Sequence, residues 1–533
     1  MMATTWTFKI DWNKDGDFDD SNEDVSARVL QASWFLGFRE PYQDVADNSV
    51  LTLVVRNNDR LFSPENSSGA LYGLLLPFRA VRVESFDGTT TRIHWVGRIE
   101  SIQPMVSANG QRTAQIVAAG VMHLYKAAET QLALQENKRT DEIIAELIKE
   151  VVIPPAGNQA WILGVEGSSN AGQSTYMSDV TTYSVLEQGK TSFTLTGDNW
   201  VRQGGFADAE KDTFDVYHAI ADVVGAERGR FFLNREGKAI FWNRHHLLYD
   251  VAPTVTFSDD MMGMTYTYAG VNSLKNEVIV VCHPRTVSAS STEILWQLQD
   301  DVIVVEPGQT RKVYVKFQDE KASRIGGKDV TLTDVTFAYG SASYTINAKA
   351  NGAELVFTND GNGEPAVVQT AIVRGKKITT YNRIEAKAQD QTSMSFYGRR
   401  TMRLNLPGLS ALEQAQYVAD FELLRRKQPR GEVSSLALVS HGKSGGEYHA
   451  QQLALTIGSS IAISESQTGH NRRYFIIGEA HELAQGATLW KTTWHLESAP
   501  DPVIVGGTNI NPFPWELNAT DHSKLGESTY LTY

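Results

Sequence analysis

The chain has 533 residues, with 49 basic and 62 acidic side chains and a net charge of −13. Hydrophobic residues make up 41% and charged residues 21%, which excludes a disordered chain, and no uninterrupted apolar stretch approaches the ~18–20 residues of a membrane span. Cys282 is the one cysteine, which excludes an internal disulfide framework and a Cys-based zinc site.

At roughly 100–200 residues per domain, the length implies about three to five domains. Met1 to Asp20 lacks the basic-then-apolar order of a signal peptide, so reducing cytosol is the expected place of folding. The first element is a strand, Trp6–Ile10. It runs into Asp11-Trp-Asn13-Lys-Asp15-Gly16-Asp17-Phe-Asp19, and from Asp11 to Asp24 seven acids face one base, Lys14. Oxygen donors at alternate positions, with Gly sixth, let a short loop wrap a hard cation such as Ca²⁺. The candidate metal ligands are the side chains of Asp11, Asn13 and Asp15, the backbone carbonyl of Asp17, and Asp19 directly or through water. The twelfth position, Glu in an EF-hand, is Asn22, with Glu23 one residue late. The flanks are strand-like, so this is not an ordinary EF-hand. The alternative is a solvated acidic β-turn built on Asp-Gly. Basic stripes that would grip nucleic acid are absent.

Most of the remaining chain reads as short alternating strands between Gly, Asn, Asp and Ser turns. Examples are Ser49–Arg56, Ala80–Ser85, Arg92–Ile99, Lys312–Phe317, Tyr474–Gly478 and Ala487–Leu496. In the last, Trp490, Thr492, Trp494 and Leu496 share one face. Val278–Cys282 reads as a buried strand. Three helices are expected. The first is capped by Thr140, with Ile143, Ile144, Leu147, Ile148 and Val151 as its stripe. The second runs near Thr213–Val224 and ends at Gly225. The third starts at a Ser410/Glu413 capping box and ends in Arg425, Arg426 and Lys427 before Pro429. A hairpin, Phe231–Leu233 with Lys238–Trp242, lies between the second and third. Stretches near 165–205 and 300–370 look like extra β material. Residues 500–533 read as an extended tail whose Trp515, Tyr530, Leu531 and Tyr533 are either partner anchors or stray aromatics.

Two motifs suggest chemistry and are better explained as structure. Gly442-Lys443-Ser444-Gly445-Gly446 matches a nucleophile elbow and half-matches a phosphate loop, but a Gly/Ser-rich loop also simply joins two strands. His245-His246 on a strand would point to opposite faces, so they are expected at the surface or toward a partner.

The N-terminal third carries a linked series of motifs. Asp11 to Phe18 leads to Glu23-Asp24-Val25, then Leu51-Thr52-Leu53, Asn57–Asn66, Leu71-Tyr72-Gly73, Pro77–Val83 and Trp95-Val96-Gly97-Arg98-Ile99. In this order the series resembles the start of tail-tip hub (minor tail) proteins of long-tailed bacteriophages. Phe232–Ala239, Ser395–Arg400, the helix after Ser410, and Gly458–Ile461 followed by Tyr474–Glu479 resemble the later parts of that family more weakly.

The expected fold is mainly β and multidomain: the resemblance implies two hub-type β-barrel domains with small α/β domain(s), and the β-rich stretches and the tail, which fall outside it, are read as inserted β-rich modules and an extension. Residues 1–126 would form the N-terminal hub barrel with the acidic loop, and 127–255 the small α/β domain with a β-rich insertion. Residues 256–305 would begin the second hub barrel, 306–384 an inserted β-rich module, 385–430 a helical segment, 431–499 the return of the second barrel, and 500–533 the tail. It further implies a non-enzymatic homotrimer in the virion, assembled in the host cytoplasm. Its partners would be the distal ring or tail tube protein, the tape-measure protein and a receptor-binding or fibre protein, with DNA only in transit. The rival readings are a distal tail ring, a host-glycan adhesin, and a cell-wall or glycan hydrolase.

Overall fold

A computed structural model describes residues 4–106, 112–130, 132–153, 175–177, 179–196, 214–248, 252–258, 261, 263–268, 273–299, 301–320, 325–361, 363–441 and 448–499, and the backbone pieces 503–505, 508–510, 513–514 and 529–530. The Gly442–Gly446 loop, about half of 165–205, and Trp515, Leu531 and Tyr533 fall outside the described residues.

The chain is mainly β and multidomain. Its largest element is a sheet of twelve strands. Six come from the N-terminus: β1 (Thr5–Asp11), β2 (Val29–Gly37), β3 (Val50–Arg56), β4 (Ala80–Phe86), β5 (Thr91–Val106) and β6 (Arg112–Ala119). Five come from later: β7 (Gly263–Tyr268), β8 (Gly431–His441), β9 (Ser460–Glu465), β10 (His470–Ala484) and β11 (Leu489–Ser498). The order is β1-β4-β5-β6-β3-β2-β10-β11-β8-β7, with β9 on β10 and Thr256–Phe257 parallel to β9.

The first six strands roll around one core. Trp6 and Phe8 of β1, Trp34 of β2, Leu51 and Leu53 of β3, Val83 of β4, Trp95 of β5 and Ile116 of β6 all belong to it. β1 and β2 are the two ends of this six-strand path, yet Trp6 and Trp34 meet edge to face at 5.8 Å. The free edge of β1 is covered by the segment that leads into β2. Ile10 N–H donates to the Glu23 carbonyl and Val25 N–H to the Phe8 carbonyl, each at 2.9 Å.

The two ends of the chain join where β2 pairs with β10, from Ala32 opposite Leu483 to Gly37 opposite Gly478. β10 has a core on each side. Phe475, Ile477 and Leu483 enter the first core, while Tyr474 and Ile476 enter a second with Leu436, Ile461, Trp494 and Leu496. That is why Tyr474–Ile477 reads as an unbroken apolar run. Along β11, Trp490, Thr492, Trp494 and Leu496 are buried in alternation, as their spacing predicts.

A mixed unit packs beside the sheet. Its three longest described helices are α1 (Thr140–Lys149), α2 (Val216–Glu227) and α3 (Leu412–Arg426). Ile143 and Leu147 of α1, Ile220 and Val223 of α2, and Ala415 and Val418 of α3 share one core with Val278, Val280 and Cys282 of the strand Glu277–Cys282. The starts of α1 and α3, the end of α2 and the two histidines differ from the sequence reading. Thr140 opens α1, but its hydroxyl donates to Glu227 at 3.0 Å, and the capping box is closed by Glu142 accepting the Arg139 N–H at 2.8 Å. Asp215 caps α2 through the His218 N–H, and left-handed Arg228 ends it, with Gly225 inside the helix. α3 starts after Ala411 with no side-chain cap, and Glu413 accepts instead from Tyr417. His245 and His246 lie past the strand Ala239–Trp242. His245 is buried, and His246 stacks on Trp242 at 4.0 Å beside Glu187, so packing rather than the surface holds them.

Residues 285–380 form a two-sheet sandwich. The strand Ala366–Thr380 centres one sheet, and Gly352–Thr358 lies between Thr310–Lys316 and Ser343–Ala348 in the other. Leu295, Phe317, Leu355, Phe357 and Val373 fill the space between them.

Buried ion pairs clamp the mixed unit to the sheet. Arg235, in the turn of the hairpin Arg230–Leu233/Ala239–Trp242, donates through Nε to Glu479 of β10 at 2.7 Å and through Nη2 to the Leu455 carbonyl at 2.9 Å. Glu479 is fully buried; burial alone would raise its pKa, but the guanidinium reverses this and holds it well below the usual carboxylate range. Next to it, His481 accepts the Trp490 indole N–H on Nδ1 at 3.2 Å, which leaves Nε2 facing Glu479 at 3.5 Å. Burial pushes the His481 pKa down, so the neutral ring is favoured. Arg230 and Arg425 both hold Glu497, while Arg228 bridges Asp44 and Glu422.

Two stability predictions follow from this packing. A Cβ on Gly478 would lie 2.1 Å from the Phe38 carbonyl oxygen, and one on Gly37, whose φ is +84°, would lie 2.4 Å from that of Ile477. Gly478→Ala is expected to cost at least about 2 kcal/mol, because backbone cannot move aside as a side chain can; urea unfolding checks this, and an unchanged midpoint contradicts it. Arg235→Met leaves Glu479 buried without its cation and is expected to cost about 3–5 kcal/mol. The double change with Glu479→Gln should recover part of that loss in the same assay.

Candidate metal centre

β1 ends at Asp11, and the chain returns to cover β1 at Glu23, so the acidic loop is the turn of a hairpin that closes the rolled sheet. Trp12 anchors it from beneath: the ring is buried and its N–H donates to the Asn22 carbonyl at 3.0 Å. The turn is built from short polar side chains that accept from N–H groups ahead of them. Asp11 takes Lys14 at 2.6 Å and Gly16 at 3.2 Å, Asn13 takes Asp15 at 3.1 Å, and Asp15 and Asp17 each take an N–H at 3.3 Å. Gly16, at φ +93°, makes the reversal that an L side chain resists.

The side chains sort into two groups. Carboxylate oxygens of Asp11, Asp15 and Glu23 lie within 4.8 Å of one another. Asp11 and Glu23 are each 1% exposed, while Asp15 faces solvent. Asn13 lies beside them, its amide donating to Asp15 at 2.7 Å and to Asp20. Asp17 and Asp19 lie further along the turn, half-buried and exposed, and are not part of the cluster. The sequence pattern pointed to the alternating donors, with Glu23 as a further ligand if the loop runs one residue longer than usual; the fold-back of the hairpin brings Glu23 to Asp11 and Asp15.

Asp11 and Glu23 accept hydrogen bonds from backbone N–H groups; among the described residues neither forms a direct ion pair, while Lys14, Arg79 and Arg98 act on Asp11 electrostatically. Burying carboxylates without a cation is costly. Burial, helped by the Asp15 charge and opposed by the Lys14 and Gly16 N–H groups and the Arg79 charge, raises Asp11 to about 6. Burial, opposed by the Asp20 and Trp12 N–H groups, raises Glu23 to about 7. The hard oxygen donors and their convergence fit a divalent cation with oxygen preference.

No family model matches the chain, and no curated protein is similar to it. Its structural neighbours include phage tail proteins and a component of a type VI secretion system. A tail protein from Neisseria meningitidis MC58 is 10% identical over 93% of this chain and 97% of that one, with a TM-score of 0.46. The 43 kDa tail protein of prophage MuSo2 from Shewanella oneidensis is 8% identical over 92% and 97%, with a TM-score of 0.44. The prophage tail protein gp18 from Listeria monocytogenes EGD-e is 6% identical over 93% and 95%, with a TM-score of 0.40. The overlaps are nearly complete in length and partial in geometry.

The raised carboxyl values set the sign of a pH test. A carboxyl with a folded pKa above its unfolded value of ~4 stabilises the fold fully below that value and loses the contribution as pH rises through the folded pKa. With chelator present, the unfolding temperature should therefore fall between about pH 5 and pH 8, less so in Asp11→Asn/Glu23→Gln. Calcium should restore it, with a gain that is small at pH 5 and grows toward pH 8. A hundredfold excess over the dissociation constant stabilises by about 2.7 kcal/mol. Asp15→Ala should lose this gain. Equal wild-type midpoints with calcium and with chelator at pH 8 would remove the site.

Proposed function

We propose that this chain is a structural protein of a phage-type tail, and within the tail its tip (baseplate) hub. There it closes the distal end of the tube and links it to the receptor-binding apparatus during DNA delivery. The observation that carries this reading is the seam: two β units from opposite ends of the chain are built into one sheet by β2 and β10. The ordered motif series from Asp11 to Ile99 supports it independently. A homotrimer of such double units would offer six similar units to a sixfold tube, and its closed symmetry stops further growth.

In this role the chain carries load and performs no catalysis. Its partners are two further copies of itself, the distal ring or tube protein, the tape-measure protein and a receptor-binding or fibre protein, with DNA passing through. The chain is made in the host cytoplasm and resides in the virion. No helix among the described residues is long and apolar enough to cross a membrane. The hairpin loop holds a structural Ca²⁺ through the side chains of Asp11, Asp15 and Glu23, with Asn13, the backbone carbonyl of Asp17, and Asp19 directly or through water as further donors. The ion offsets the buried charge and locks the turn that covers the edge of β1.

Electron microscopy of the assembled particle tests the assignment. Three copies of this chain at the tail tip are expected. Six copies would identify a distal ring instead, and a single copy would reject the symmetry argument.

A further inference from the structure

The sandwich of residues 285–380 carries a cleft of about 1250 Å³. One wall is the strand Glu293–Gln297, bent by a bulge between Ile294 and Trp296. The facing wall is Gln318–Glu320, tied across by the Gln318 N–H donating to the Leu295 carbonyl at 2.9 Å. Leu295 points into the core, and Trp296 is half-buried, its indole packed on that core at the cleft. Around it stand Gln297, Gln299, Gln318 and Glu320, all exposed and none hydrogen-bonded through its side chain to another described residue.

We propose that this cleft is a binding site for a neutral oligosaccharide. A sugar ring has an apolar C–H face and a rim of hydroxyls that both donate and accept. A half-exposed indole beside three primary amides and a carboxylate offers the complementary set. The volume exceeds the ~300–1,000 Å³ typical of small-ligand sites, which suits several linked sugars. Among the described lining residues, Glu293, Asp301, Asp319 and Glu320 outnumber Lys377, which pairs with Asp319 at 3.8 Å, and this surplus negative charge disfavours acidic glycans. Such a site binds whether or not the chain belongs to a tail, so its failure leaves the hub assignment untouched.

Saturation-transfer NMR and calorimetry on the full chain, with chitohexaose, cellohexaose, maltohexaose and mannohexaose as probes and heparin as acidic control, decide the matter. At least one neutral hexasaccharide should bind. Trp296→Ala should abolish binding, and Gln297→Leu/Gln318→Leu should weaken it about tenfold. The double variant alters exposed groups and should unfold at the wild-type temperature, so it remains informative if Trp296→Ala fails to fold. Absence of binding to all four neutral probes, unchanged affinity in the double variant, or tighter binding of heparin would each overturn the proposal.

Discussion

The antiparallel pairing of β2 with β10 is the constraint from which the rest follows. It joins residues 29–37 to residues 470–484, so the chain cannot finish its first layer without its last. The pairing needs Gly37 opposite Gly478, because side chains there would strike carbonyl oxygens across the seam. It also sets the cores. A strand buried on both faces must alternate between two of them, and Tyr474 to Ile477 does so residue by residue. Trp6, Trp34 and Trp490 meet over His481 because the seam brings β1, β2 and β11 together.

Buried carboxylates recur through the molecule, and the fold treats most of them alike. Glu479, Glu497 and Glu422 each lie against guanidinium groups from another element. These pairs add specificity of docking more than net stability, since desolvation offsets much of their attraction. Asp11 and Glu23 are the contrast: equally buried, they rest on backbone N–H groups, with arginines acting on Asp11 only at a distance. A diffusible cation there would do what arginines do elsewhere, with the difference that its concentration outside the protein then matters.

Much of this was legible in the sequence, for physical reasons. Period-two and period-3.6 patterns placed β3, β4, β11 and the helix cores, because burial on one face imposes those periods. Cap residues were less readable. Thr140, Ser410 and Gly225 all look like helix punctuation, yet Thr140 is drawn to Glu227, Ser410 stands one residue too early, and Gly225 is packed inside α2. Tertiary partners outcompeted local ones. His245 and His246 misled because the strand ends at Trp242 and a short turn carries both inward. The acidic donors were visible from spacing, but the cluster of Asp11 and Asp15 with Glu23 depends on how the hairpin closes. The seam itself has no signature: nothing in β2 names a partner more than 400 residues away.

That distance has a consequence during synthesis. β10 begins 433 residues after β2 ends. At ~5–20 residues per second, the ribosome takes roughly 20–90 s to deliver it. Throughout that interval the rolled N-terminal sheet is complete except along one border, where β2 offers unpaired N–H and C=O groups and uncovered tryptophan. Many nascent chains on one messenger would present the same border at once, and an open edge accepts any strand of suitable shape. Shielding of that border until the far end arrives is thus a requirement of folding that the finished structure no longer displays.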